Sequence, residues 1–306
     1  MFTTFETLPQ LFAAFPTEQS AIDHFTAIRW ADGKFCPLCG NADEKRIGTL
    51  TGTNTHKCYA CRKRFSIRVG SIFQDTKLPL RTWFAAIWMI TAHPKGIAST
   101  TLATDLGITQ KSAWFVLHRL RHAARTNSFN APLSGTVAVD EAALGGLEHN
   151  KHAKDRKHGR AGMHEKTIVM GIVQKDGEVR AGVIDRTDAN TLHSVIESHV
   201  EPGSTVVTDN YKGYRGLDYH YDHRTVNHSK GEYVKDGFTT NGVESLWALF
   251  KRQYHGTHHY ISPKHMDQYL GEMAFRQNRR EMAKGDRVNA LLAQPQGPLP
   301  WKVLTA

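Results

Sequence analysis

Two stretches, "FCPLCG" (35–40) and "KCYACRKRF" (57–65), hold all four cysteines of this 306-residue chain. Cys36 and Cys39 form one C-x2-C pair and Cys58 and Cys61 a second, with 18 residues between the pairs. Each tight turn aims two sulfurs at one point, so two such turns offer four thiolates to a single tetrahedral ion. That is zinc-ribbon spacing. Four separate thiols or a redox pair fit the doubled spacing less well. The intervening "GNADEKRIGTLTGTNTHK" is polar and glycine-bearing, as the hairpin tips of such a module must be. A ribbon this small buries little apolar surface, so zinc supplies much of its folding energy. Four thiolates leave no open coordination position, so this zinc is expected to be structural and the chemistry to lie elsewhere.

Basic and aromatic residues flank the second pair: Lys57, Tyr59, Arg62, Lys63, Arg64, Phe65 and Arg68. Over the whole chain 39 Lys+Arg stand against 29 Asp+Glu, a net charge of +10. Such an excess favours a polyanionic partner through counterion release, and Arg62 and Lys63 are candidate DNA contacts. The longest apolar run, "WFAAIWMITA" (83–92), is too short to cross a bilayer and reads as a buried helix. The start, "MFTTFETLPQ", has neither the basic head nor the apolar stretch of a secretion signal, so the cytosol is the expected compartment and no membrane partner is expected.

Between residues 71 and 125 the periodicity is helical. A short helix is expected from Ser99 to Leu106, a break at Gly107, and a second helix from an N-capping Thr109 to about Arg125. Two helices across a glycine turn match the helix-turn-helix pattern, whose second helix can enter a major groove. On that helix Lys111, His118, His122 and Arg125 share a face with Ser112 and Arg119 beside it, while Ala113, Val116, Leu117 and Leu120 face a core. Lys111, Ser112, Arg119 and Arg125 are the candidate DNA contacts here.

After the Ser/Asn/Pro/Gly-rich stretch 126–135 the pattern turns to strands. "TVAVDEAALGG" (136–146) is a β-run with Asp140 at its centre, and "KTIVMGIVQKDGEVRAGVID" (166–185) is two strands around a Lys-Asp-Gly turn. "DANTLHSVIESHV" (188–200) reads as a helix, with Asp185 and Asp188 at its junction and an N-cap the natural role there. "STVVTDNYKGY" (204–214) is an apolar strand ending at Asp209, "HRTVNH" (223–228) a weaker strand, and "TTNGVESLWALFKRQYH" (239–255) a helix with Glu244 near its start. Strand, strand, strand, helix, strand, short helix, strand, helix predicts a mixed sheet with helices packed on it. Alternation sends Glu141, next to Asp140, to the opposite face. The stretch 147–166, with six Lys or Arg and four His, is expected to be a basic loop that meets DNA phosphates.

Together, "RWADGKFCPLCG", "VAVDEAALGG", "VTDNYKGY", "NGVESLWALFKR" and "HHYISPKHMDQYLGEMAFRQNRR" resemble the bacterial insertion-sequence DDE transposases that carry an N-terminal zinc ribbon. The likeness covers roughly residues 18–280. It implies an α/β fold: an RNase H-like mixed sheet flanked by helices, preceded by a small zinc ribbon and a helical helix-turn-helix region. By position, Asp140, Asp209 and Glu244 match the family's three metal-binding acids, with Asn241 one turn earlier as an alternative third ligand. Lys251 matches a basic residue that often follows the third acid by seven positions, two helical turns away on the same face. Phosphodiester cleavage relieves charge on attacking and leaving oxygens, and a pair of Mg²⁺ ions held by carboxylates does this.

The expected layout is an N-terminal helical segment (1–30), zinc ribbon (31–70), helix-turn-helix region (71–125), RNase H-like domain (133–256) and C-terminal helical segment and tail (257–306). The implied activity is binding of element ends, Mg²⁺-dependent strand cleavage, and joining of the 3′-hydroxyl to target DNA. The implied partners are double-stranded DNA, both element ends and target, and further copies of the chain in a synaptic complex. A DNA-binding regulator with an inert RNase H-like domain, or a structure-selective nuclease, are the alternatives.

Overall fold

The structure is a computed structural model that describes residues 3–125, 131–145, 166–227, 230, 232, 234–294 and 297–305. The chain divides into two compact units, residues 1–126 with 281–306 and residues 127–280. No described helix is long and apolar enough to cross a membrane.

The first unit opens with α1 (Leu8–Ala14) and α2 (Glu18–Arg29), each started by a threonine that caps the third amide of its helix. A three-stranded antiparallel sheet follows: β1 (Ile47–Thr49), β2 (Thr55–Cys58) and β3 (Arg64–Ser66). Three helices come next, α3 (Leu80–Ala92), α4 (Ser99–Leu106) and α5 (Gln110–Arg125). Pro79 gives α3 no side-chain cap. The Glu18 carboxylate does so instead, accepting from the N–H groups of Leu80 (2.8 Å) and Arg81 (3.2 Å) while pairing with Arg68 at 2.6 Å. Gly107 ends α4 at φ 62, a left-handed conformation that strains other residues. Thr109 then caps α5, its hydroxyl oxygen accepting from the N–H of Ser112 at 3.2 Å.

The second unit is built on β4 (Thr136–Leu144), β5 (Thr167–Gln174), β6 (Val179–Ile184), β7 (Thr205–Asp209) and β8 (Asp222–Val226), with α6 (Ala189–His199) between β6 and β7. Spatial order is β6-β5-β4-β7-β8, antiparallel on the β6 side of β4 and parallel on the β8 side. This mixed sheet is RNase H-like. The β5–β6 hairpin closes at Lys175-Asp176-Gly177, with Asp176 at φ 55. Helix α7 (Asn241–Gln253) and α8 (Met266–Asn278) complete the unit.

Alternation along β4 divides the core into two layers. Val137 and Val139 join Leu192, Ile196 and Tyr214 on the α6 face, while Ala138 and Ala142 join Val243, Trp247 and Phe250 on the α7 face. The open edge of β6 is closed by α8, whose Asp267 and Asn278 side chains each accept a β6 backbone N–H at 2.7 Å. The chain returns to the first unit with α9 (Lys284–Leu292) and α10 (Trp301–Thr305).

Candidate active site

The four cysteine sulfurs lie within 4.8 Å of one another, with Cys36–Cys61 at 3.9 Å and Cys39–Cys58 at 3.8 Å. Four sulfurs about 2.3 Å from a zinc ion form a tetrahedron with edges of about 3.8 Å, so the set fits zinc. Backbone N–H groups, Cys61's first, bring the Cys58 thiol down to about 7. At Cys39 the Asn41 N–H also favours thiolate, but burial and the neighbouring sulfurs outweigh it and push the thiol up to about 12. The last of four adjacent thiolates is the hardest to form until a cation offsets the charge. Ile47 and Phe65 pack around the buried Cys36 and Cys58.

In the second unit, alternation puts Asp140 on the α7 face with Ala138 and Ala142. The parallel ladder pairs Ala138 with Val207, and two residues further along each strand bring Asp209 beside Asp140. Opposite Asp140 on β5 stands Gly171. A Cβ there would come within 2.7 Å of Trp247 and 3.1 Å of Val243, so the glycine lets α7 lie directly on the sheet. That close approach seats α7, with Glu244 in its first turn, against the face that carries Asp140, and Glu244 Oε1 accepts from the Thr240 hydroxyl at 2.9 Å. Asp209 Oδ1 accepts from the Tyr211 N–H at 2.9 Å.

The electrostatics record the convergence. The Asp140 carboxyl is pushed up to about 7, first by burial, then by the charges of Glu141 and Asp209, with a smaller push from Glu244. Such a cluster of hard, half-buried oxygens suits a divalent cation such as Mg²⁺. Among the described residues the cysteine set alone gathers three or more such ligand atoms closely enough to hold a metal ion as it stands, all within 4.8 Å of one another. Asn241 is exposed at the first residue of α7, and Lys251 is exposed two turns beyond Glu244.

Sequence reasoning passed over Glu141. Its side chain does go to the opposite face, where Oε2 accepts the hydroxyl of the buried Tyr214. Its charge still acts on Asp140, the residue before it on the central strand. The only signal in the sequence was its adjacency to Asp140.

The basic residues of the first unit divide differently from the helical wheel. Arg119, expected at a DNA face, is a correction: it is 6% exposed. Its guanidinium donates to the carbonyls of Ile72 (2.7 Å), Gln74 (2.9 Å) and Leu299 (3.3 Å). His118, placed on the same polar face, is fully buried against Trp114. Lys111 is exposed with its ammonium over the Trp301 ring at 5.0 Å, Ser112 is half-buried, and Arg125 is exposed at the end of α5. Arg62 and Lys63 are exposed beyond the second cysteine turn, whereas Phe65 is core. Of the basic loop 147–166, residues 147–165 lie outside the described residues.

A profile of the ISXO2-like transposase domain matches residues 132–278, and one of the transposase zinc-ribbon domain matches residues 16–64. The chain belongs to the ISXO2-like transposases. It is thus a DNA transposase, an enzyme of the polynucleotidyl transferase and endonuclease kind, with a structural zinc ribbon. A protein of transposable element ISH50 from Halobacterium salinarum is 26% identical over 90% of this chain and 95% of its own length. A transposase-like protein from Haemophilus influenzae is 30% identical over 33% of this transposase and 80% of its own length. Among solved structures, a pre-cleavage Mos1 transpososome overlaps loosely, at 11% identity and TM-score 0.27 over 71% of this chain and 80% of that one. A Mos1 paired-end complex gives 12% and 0.20 over 67% and 78%.

Proposed function

We propose that this transposase cleaves a strand at the ends of its own element and joins the freed 3′-hydroxyl to target DNA at the Asp140–Asp209–Glu244 centre. The observation that carries the reading is the meeting of three carboxylates in a transposase domain, Asp140 and Asp209 from neighbouring strands and Glu244 from the start of a helix, at a place where burial first, then the charges of Glu141 and Asp209, with a smaller push from Glu244, raise Asp140 to about 7. Asp140, Asp209 and Glu244 would hold Mg²⁺; when bound, the ions polarise the phosphate and favour the deprotonated nucleophile. In cleavage a water oxygen bonds to phosphorus, the P–O3′ bond breaks, and the 3′-oxygen leaves as a hydroxyl. In joining, that 3′-oxygen bonds to a target phosphorus and a target 3′-hydroxyl departs. No bond energy is consumed, so the protein's task is positioning and charge balance.

Lys251 would donate to a DNA phosphate beside the scissile bond. Arg62, Lys63, Lys111, Ser112 and Arg125 would hold DNA through phosphates and groove edges; Arg119 is withdrawn from this set by its main-chain bonds. The helix pair α4–α5 serves as DNA reader, and two or more copies bring both element ends together. Labelled element-end oligonucleotides with a supercoiled target plasmid and Mg²⁺ provide the test. Joined products support transposition, cut but unjoined ends a nuclease, and shifted but intact DNA a regulator.

A further inference from the structure

The ladder between β4 and β7 ends at Ala138↔Val207, two residues short of Asp140 and Asp209. Past that pair no main-chain ladder joins β4 directly to β7, so the gap between the two acids is open to a side-chain tie. On the sheet's reverse face the residue after Asp140 is Glu141, and five residues after Asp209 stands Tyr214. The Tyr214 hydroxyl donates to Glu141 Oε2, joining the middle of β4 to the turn that follows β7.

That turn is stiff. Its Lys212–Tyr214 stretch is one 3-10 turn, with the Tyr214 N–H donating to the Tyr211 carbonyl at 3.2 Å. The Tyr211 hydroxyl donates to the Thr187 carbonyl at 3.2 Å, while its N–H holds Asp209 Oδ1. Gly213 sits so close to α6 that a Cβ would meet Leu192 at 2.8 Å and the Thr187 carbonyl at 3.0 Å. Tyr214 itself is 1% exposed among Val137, Val139 and Leu192. A displacement of the tyrosine would therefore carry Asp209 with it.

We propose that Tyr214 and Glu141 are a positioning pair, a clasp across the back of the sheet that fixes the spacing of Asp140 and Asp209. The proposal rests on the reading that those two acids hold the divalent cations. The clasp acts through the acids and touches neither cation nor DNA. What it requires of Glu141 is an acceptor oxygen at the right place, not a charge. That separates it from a fourth metal ligand, because glutamine keeps the acceptor and loses the charge.

The test uses the zinc-loaded full-length protein, with Mn²⁺ as probe, by titration calorimetry alongside element-end cleavage. Tyr214→Phe and Glu141→Ala are each expected to weaken Mn²⁺ binding and slow cleavage about tenfold, and the double variant to be no worse than the singles. Glu141→Gln is expected to stay within about threefold of wild type in both readouts. Wild-type Mn²⁺ affinity in both Tyr214→Phe and Glu141→Ala overturns the clasp, as does loss in Glu141→Gln equal to that in Asp140→Asn, which would make Glu141 a ligand. If Tyr214→Phe does not fold, Glu141→Ala against Glu141→Gln decides the matter. If the wild type binds no Mn²⁺, or Asp140→Asn binds as wild type does, the carboxylate reading falls and the clasp with it.

Discussion

The ribbon's four thiols and the three acids proposed to hold Mg²⁺ draw their order from opposite sources. The ribbon's four sulfurs come from one short stretch, 36–61, and two of the four residues at the centre of its small core, Cys36 and Cys58, are themselves ligands. The acids come from residues 140, 209 and 244, and the cores on either side of their sheet contain none of them. Each fully buried Val, Leu, Ile or Phe side chain contributes about 1.5–3 kcal/mol, so the sheet holds its acids in place without metal. The ribbon cannot do the same for its thiolates. One site is folded by its ion; the other is folded despite the charges it gathers.

The largest expected effect follows from the ribbon's dependence. Structural zinc supplies about 10–16 kcal/mol of apparent binding energy in small ribbon-like modules. Cys36→Ser or Cys58→Ser should release about one zinc per chain and unfold residues 31–70, while residues 133–256 keep their protection. Metal analysis with hydrogen exchange checks both halves, and zinc-free wild type with an intact ribbon would contradict them.

At the acids the same kind of deletion should leave the fold standing. Asp140→Ala, Asp209→Ala and Glu244→Ala are each expected to cut strand cleavage by about a thousandfold or more, with element-end binding changed little. Gel shift and cleavage on one set of oligonucleotides separate the two effects. Full cleavage by Glu244→Ala with loss in Asn241→Ala would move the third ligand one turn towards the start of α7.

Proton linkage sharpens the contrast. An acid whose folded pKa is raised from 3.8 to about 7 binds more protons folded than unfolded between those values. Stability of the metal-free protein therefore falls as pH rises through that window and stays low above it. At 1.36 kcal/mol per unit, the Asp140 contribution amounts to roughly 4 kcal/mol at most. Asp140→Asn should flatten this decline, leaving the metal-free variant more stable than wild type above pH 7 and equal to it near pH 4. Divalent cation affinity should fall as pH drops below about 7, since binding requires the ionised carboxylate. Thermal melts and Mn²⁺ titrations across pH 4–8 read both trends; parallel melting curves for wild type and Asp140→Asn would refute the first.

Much of this architecture was legible because its signals are local. Doubled C-x2-C spacing announced the ribbon, and the apolar runs in "TVAVDEAALGG" and "STVVTD" announced strands, one with Asp140 at its centre and one ending at Asp209. What stayed hidden depends on residues brought from far along the chain. Arg119 has a polar-face position on α5, yet the turn at Ile72–Gln74 and the distant Leu299 supply the carbonyls that bury it. His118 is hidden for a related reason, since the wheel cannot show which polar side chain stacks on Trp114. Glu141 was assigned its face correctly from strand alternation. Its partner Tyr214, 73 positions away, could not be read from any repeat.

The smallest effect concerns a cation on the same helix as Glu244. Lys251 is exposed on α7, two turns after Glu244, a position an ordinary solvated lysine could also occupy. In that ordinary role Lys251→Ala would change stability by less than roughly half a kcal/mol and leave catalysis untouched. Holding a phosphate beside the scissile bond, it makes a charge-assisted contact whose removal costs about 1.5–3 kcal/mol, a ten- to hundredfold loss. Lys251→Ala is therefore expected to slow strand joining at least about tenfold, with Mn²⁺ affinity and melting temperature little changed. Lys251→Arg should recover part of the rate, because the charge survives while the donor geometry differs. An unchanged joining rate in Lys251→Ala would place this lysine on the solvated face and leave charge balance at the centre to the cations alone.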